Sequence, residues 1–412
     1  MDMNQLMAQK RKPKVTFILI YIAFIICFID RSAINIALSY IGTEFHLSTT
    51  QLGVVSSAFF FSYAFMQIPG GWLTDKFGSK LTVVVAIAMW SVFTIMTGFA
   101  WSLASLLIIR IMFGIGEGAF PSASLKQIAE EFTYDSRAQA TSAIVSSNYA
   151  GAAIAPLLIA PIIATVGWRN AFHLMGILGF VFIIVYFFLL RPIKKQDATG
   201  APIVQKVPLK EVICNKIIWK FVIVVFGLSV ITKGLDSWMP TYLLQVRHIN
   251  LAGIAWMVPL PSVAAGVGAL LSGYLMVHFC NGKEKWFIAL TSLLTTLFMF
   301  GMYHSTGLVG VISFEVLTYF FKSMAFSGCF ALFAQLVSRK SYGSSVGIVN
   351  FGGQLAGFLA PILIGILVEQ FGGSYSVAFL FLVAAAALSF IVSLTFDTKK
   401  MAASRENAEI DL

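Results

Sequence analysis

Charge is scarce in this sequence: Asp, Glu, Lys and Arg make up only 11% of 412 residues. A water-soluble domain devotes about a quarter of its residues to charge. Cysteine is rarer still. Cys27, Cys214, Cys280 and Cys329 are scattered with no CxxC pair, which excludes a disulfide framework or a cysteine-held zinc site and leaves them as packing residues. His46, His173, His248, His278 and His304 fall at loops or helix ends, poor places for a buried proton site. HExxH and P-loop sequences are missing, so a metalloprotease or nucleotide-hydrolase reading has no motif to rest on. No cofactor and no metal are expected.

What the chain has in excess is apolar length. Hydrophobic residues make up 58% of it, with a mean hydropathy of +0.86, and such a chain takes lipid as its solvent. Apolar stretches fall at about 16–38, 51–75, 81–99, 103–126, 139–164, 168–191, 217–245, 252–279, 286–304, 307–336, 343–368 and 373–396, each long enough to cross a bilayer as a helix. The first follows a basic start, but it is too long for a signal peptide, contains Asp30-Arg31 and lacks a small-residue cleavage site, so it reads as a spanning helix. The one extended polar segment, rich in lysine, divides the helices six and six.

The expected architecture is an all-α membrane protein of twelve transmembrane helices in two six-helix bundles. Its parts are a cytoplasmic tail over 1–15, a bundle over 16–191, a cytoplasmic linker over 192–216, a second bundle over 217–396 and a cytoplasmic tail over 397–412. The formal charge of +10 belongs to loops, which makes the bilayer and not nucleic acid its partner. With the N-terminus inside, nearly all loop Lys and Arg fall on the cytoplasmic side, Arg169 and Arg247 excepted, and this asymmetry puts both termini there. Trp101, Trp168 and Trp286, at helix ends, read as interfacial anchors. The chain is expected to act as a monomer in a bacterial inner membrane.

An internal repeat supports the division into halves. Gly71-Trp72-Leu73 matches Gly273-Tyr274-Leu275, Asn148-Tyr149-Ala150-Gly151 matches Asn350-Phe351-Gly352-Gly353, and Ala155-Pro156 matches Ala360-Pro361. Parallel duplication of this kind is a transporter architecture whose substrate site lies near the bilayer midplane.

Ionisable groups inside apolar helices cost at least a few kcal/mol and are functional by default. Asp30, Arg31, Arg110, Glu117, Lys233, Asp236, Glu315 and Lys322 are such groups. Arg110 and Glu117, two helical turns apart, share a face and look to Asp30 and Arg31 of the first helix as partners. A carboxylate out of water favours its protonated form, a neighbouring arginine favours the ionised one, and an anion that captures the arginine therefore promotes proton uptake. A static ion-pair network is the alternative. In the second half Lys233, Asp236, Glu315 and Lys322 either add a cationic contact for an anion or form a network of their own.

Gly71-Trp72-Leu73-Thr74-Asp75-Lys76-Phe77-Gly78-Ser79-Lys80 fits the G-x-x-x-D-K/R-x-G-x-R/K signature of the major facilitator superfamily. Gly71 and Gly78 permit a tight turn, and Asp75, Lys76 and Lys80 supply charges that can pair and release. The corresponding turn of the second half has Val277 in place of Asp75. Ile29-Asp30-Arg31 with Asn35, the run Ser62 to Gly71, and Arg110-Ile111-Met112-Phe113-Gly114-Ile115-Gly116-Glu117-Gly118-Ala119-Phe120-Pro121-Ser122 together resemble the anion:cation symporter family. That branch includes galactonate and hexuronate transporters, sialin and the vesicular glutamate transporters.

The resemblance implies that Asp30 and Glu117 couple protons, and that Arg31 and Arg110 hold the substrate carboxylate or the coupling acids. It implies that Tyr63, Asn148, Ser327 and Asn350 line the sugar-acid site. Phe28 stands where some sugar-acid members have tyrosine, and Asn148 where they have glutamine. The expected function is symport of protons with a small organic anion, a sugar acid foremost. A proton-driven drug or lipid exporter is the rival, but its G-P-x-x-G-G signature is missing from Gly151-Ala152-Ala153-Ile154-Ala155-Pro156.

Overall fold

The computed structural model describes residues 3–132, 134–189, 214–280, 282–336 and 342–396. The tail over 397–412 and most of the linker over 192–216 lie outside the described residues. Among those described every regular element is a helix: α1 (Met3–Phe45), α2 (Thr49–Phe77), α3 (Ser79–Gly98), α4 (Leu103–Gly118), α5 (Phe120–Glu131), α6 (Tyr134–Leu189), α7 (Lys216–Gln245), α8 (Leu251–Met257), α9 (Pro259–His278), α10 (Glu284–His304), α11 (Leu308–Leu336), α12 (Tyr342–Gln370) and α13 (Ser376–Ser393). Helices are the form that satisfies every backbone amide within one segment in lipid.

Among the described residues ten spans are long and apolar enough to cross a membrane, with α4 and α5 forming one and α8 and α9 another; α2, bent by 51° after Gln67, makes an eleventh. Pro69 explains that bend, since its ring removes a backbone donor and crowds the preceding turn. The 56-residue α6 is interrupted at Gly167, with φ of 79° and ψ of 162°, a conformation open to glycine and strained for other residues.

Two compact units divide the described residues: one of Met1–Lys195 with Met239–Pro259, the other of Gln196–Trp238 with Leu260–Leu412. Within the first, α1 and α3 pack on α6, and α2 packs on α4. Small residues set these approaches, as lipid-embedded helices require. A Cβ on Gly114 would come within 2.6 Å of the Phe59 carbonyl oxygen, and one on Gly118 within 2.6 Å of the Met66 Cβ. The run Gly114-Ile115-Gly116-Glu117-Gly118 thus draws α4 against α2. In the second unit α10 packs on α11 and α13, and Phe221 stacks on Phe396 at 4.6 Å and meets Phe333 edge-on at 4.9 Å.

The repeat reappears in packing. Gly151 of α6 abuts Phe28 of α1, where a Cβ would approach the Phe28 Cβ to 2.6 Å; its counterpart Gly353 of α12 faces Ser229 and Val225 of α7. One interfacial expectation is overturned. Trp101 and Trp286 are exposed, but Trp168 is only 6% exposed. The turn at Gly167 tucks the indole beneath the end of α1, where Nε1 donates to Glu44 Oε2 at 2.8 Å. Arg169 completes this knot by donating to Glu44 Oε1 at 2.7 Å and to the carbonyls of Gly98 and Ala100 at 2.8 and 2.7 Å, which caps the C-terminus of α3.

Candidate functional site

The first-half charges converge. Asp30 and Arg31 come from α1, Tyr63 from α2, and Arg110 and Glu117 from one face of α4. Arg31 Nη2 donates to Glu117 Oε1 in a direct ion pair, and Glu117 is fully buried. Such a pair is retained in a low-dielectric interior because separating it would strand a charge, at about 3–5 kcal/mol. The guanidinium of Arg31 also lies over three rings, Phe28, Phe59 and Tyr63, with centroids at 4.7, 4.8 and 4.8 Å. A planar, weakly hydrated cation suits such a setting far better than an ammonium would.

Arg110, just 2% exposed, rests on Phe113 at 4.9 Å and Phe59 at 5.4 Å. Its Nε has no hydrogen-bond partner, and neither do Arg31 Nε and Glu117 Oε2. Asp30, equally buried, receives a long hydrogen bond of 3.5 Å from Thr94 Oγ1. Buried polar atoms are nearly always satisfied. Three unsatisfied atoms on two arginines and a carboxylate leave hydrogen-bonding capacity at the centre of this cluster.

Other predicted residues lie nearby or apart. Asn148 is partly buried on α6, one turn from the Gly151 contact with α1, and its Oδ1 lacks a partner. Asn35, part of the same α1 segment, accepts from Ser56 Oγ at 3.2 Å. In the second unit Ser327 is partly buried on α11 and Asn350 is exposed on α12. The α2–α3 turn has Gly78 at φ of 91°, and Asp75 accepts from Lys126 Nζ of α5 at 2.6 Å. Lys126 also reaches the Thr74 carbonyl at 3.4 Å, while Lys76 lies 4.9 Å from the Trp72 ring and Lys80 reaches the carbonyl oxygen of Phe187 at 3.5 Å. Gly71 has open space around it. Asp75 is largely exposed, and an exposed ion pair contributes about 1 kcal/mol or less, weak enough to break and reform.

Three contributors were not legible in the sequence. Phe59 reads as an ordinary lipid-facing or core aromatic, yet it is fully buried beneath both arginines. Cys27, read as packing, lies beside Glu117. Thr94 gave no signal beyond being a polar residue in an apolar helix; apart from this site, in the second unit, Gln354, one turn beyond Asn350, has an unpartnered Oε1. Among the described residues no three of His, Cys, Asp and Glu converge as a metal site would need.

The family model for the Major Facilitator Superfamily matches residues 20–316 and 254–411. A protein of Cupriavidus necator named as a probable sulfoacetate transporter is 31% identical over 384 residues, 87% of each chain. The hexuronate transporter of Bacillus subtilis is 28% identical, covering 90% of this chain and 91% of its own. The D-galactonate transporter of Escherichia coli is 29% identical over 95% and 97% of the two chains. Among solved structures, a bacterial homolog of the human lysosomal transporter Spinster superposes with a TM-score of 0.81 at 20% identity, covering 93% of this chain and 97% of that one.

Proposed function

The chain belongs to the major facilitator superfamily, in its anion:cation symporter branch, and from that premise we propose that it imports an organic anion together with protons by alternating access. It is a multi-pass transport protein of the inner membrane. The observation that carries the proposal is the buried Arg31–Glu117 pair with unsatisfied atoms on both partners and on Arg110. The hexuronate, D-galactonate and sulfoacetate in its relatives' names are all organic anions, and sugar acids such as hexonates or hexuronates are the class assigned here.

In this scheme an incoming carboxylate takes over Arg31 and Arg110 as a charge-assisted acceptor. Glu117, left without its counter-charge in a dry site, is neutralised by a proton, and Asp30 serves as the second coupling acid. Tyr63, Asn148, Ser327 and Asn350 supply hydrogen bonds to the substrate hydroxyls. The Asp75–Lys126 pair, set in the turn that runs from Gly71 through Lys76 and Gly78 to Lys80, opens and closes with the cycle. Twelve crossings follow from the eleven spans once α6 is divided at Gly167. They make two bundles, over 16–191 and 217–396, with both termini cytoplasmic and the monomer as the working unit. No step makes or breaks a covalent bond other than to a proton, so the chain is a carrier and not an enzyme.

Purified protein in proteoliposomes, given an inside-alkaline pH gradient and a panel of labelled sugar acids, tests this reading. It expects accumulation of at least one hexonate or hexuronate that collapses with a protonophore. Failure of every anion, with extrusion of cationic compounds instead, would replace it with the exporter reading.

A further inference from the structure

The second unit contains a charged cluster that this coupling scheme leaves unused. Lys233 and Asp236 lie one turn apart on α7. Glu315, Tyr319, Lys322 and Phe326 share one face of α11 at helical spacing. The buried Tyr319 donates to Asp236 Oδ1 at 2.7 Å, and its hydroxyl lies 3.3 Å from the Thr232 carbonyl oxygen. Lys322 Nζ sits 4.7 Å from the centroid of Phe326. Asp236, itself exposed, is in electrostatic reach of Lys233 and Lys322, and Glu315 is in reach of Asp236.

Glu315 stands apart from its neighbours. It is only 5% exposed within a spanning helix, and among the described residues neither a hydrogen bond nor an ion pair reaches its carboxylate. The charge in electrostatic reach of it is that of Asp236. The helices packed on α11 add nothing nearby: α10 has Glu284, Lys285, Tyr303 and His304 at its ends, and α9 has Tyr274 and His278 near its C-terminus. An unpartnered carboxylate in such a place costs several kcal/mol when ionised and far less when protonated.

We propose that Glu315 is a second proton-binding site, so that the second half moves a proton in each cycle independently of Asp30 and Glu117. This inference rests on the reading of the chain as a proton-coupled carrier.

Two measurements on the full chain test it. In proteoliposomes, internal pH and labelled D-galactonate influx together give the proton-to-anion ratio. Glu315→Gln is expected to lower that ratio by about one while counterflow at equal pH continues. An unchanged ratio, or loss of counterflow along with uptake, overturns the proposal; the latter marks the cluster as a structural network. In the second arm dicyclohexylcarbodiimide, which adds to a protonated carboxyl and rearranges to a stable acylurea, is mapped by mass spectrometry from about pH 5 to about pH 9. Labelling at Glu315 that falls as pH rises is expected, and no label, or a constant one, overturns the site. Should the wild type move no D-galactonate, that counts against the sugar-acid reading, and the carbodiimide arm decides for Glu315 on its own.

Discussion

Glu117 and Arg31 form a direct ion pair in the first-half site, so their variants separate coupling from binding. Glu117→Gln keeps the size and one acceptor oxygen but removes the titrating group. It is expected to abolish uptake driven by a pH gradient while counterflow at equal pH persists, read as labelled-anion exchange in proteoliposomes. Arg31→Lys keeps the charge but loses the planar face that meets Phe28, Phe59 and Tyr63. The expected result is an apparent affinity for the anion weaker by about 10-fold or more, equivalent to about 1.4 kcal/mol.

The charges themselves were legible in the sequence, because an ionisable residue in an apolar helix is conspicuous whatever surrounds it. Phe59 was not: its neighbours Phe60 and Phe61 are chemically the same, and only the rotation of α2 decides that Phe59 goes under the arginines while Phe61 is exposed.

Helices deliver these residues through glycine. Gly114 and Gly118 lie one turn apart on α4 and leave no room for a side chain against Phe59 and Met66 of α2, so the spacing that brings the helices together also orients Glu117. Gly114→Val is expected to force α4 away by overpacking, at about 1–3 kcal/mol. A lowered melting temperature of the purified protein, together with lost anion binding, would check it. Gly353→Val should act likewise where α12 meets α7, since it repeats the place of Gly151 of α6 against α1. The repeat was readable from the paired segments in the sequence, and packing gives it a cause: both glycines sit where a helix closes on the first helix of its own half. The burial of Trp168 was not readable. A tryptophan at a helix end ordinarily anchors at the interface, and only the left-handed turn at Gly167 brings it under Glu44.

For the whole molecule, apolar length and loop charge predicted an all-helical membrane protein, and the helices found have that character. The signature around Asp75 identified the superfamily, and the structure supplies Lys126 as the partner that the sequence left unnamed. Asp75→Asn removes an exposed pair worth about 1 kcal/mol or less. It is expected to leave the melting temperature nearly unchanged while altering the transport rate, measured as initial uptake at saturating anion.

The central claim is that anion entry and proton entry are one event. Internal pH recorded while a sugar acid flows down its own gradient into proteoliposomes, with no pH difference imposed at the start, tests it most directly. The account predicts acidification of the lumen in step with anion influx, and its loss in Glu117→Gln. Influx with no change in internal pH, or with alkalinisation, would contradict it.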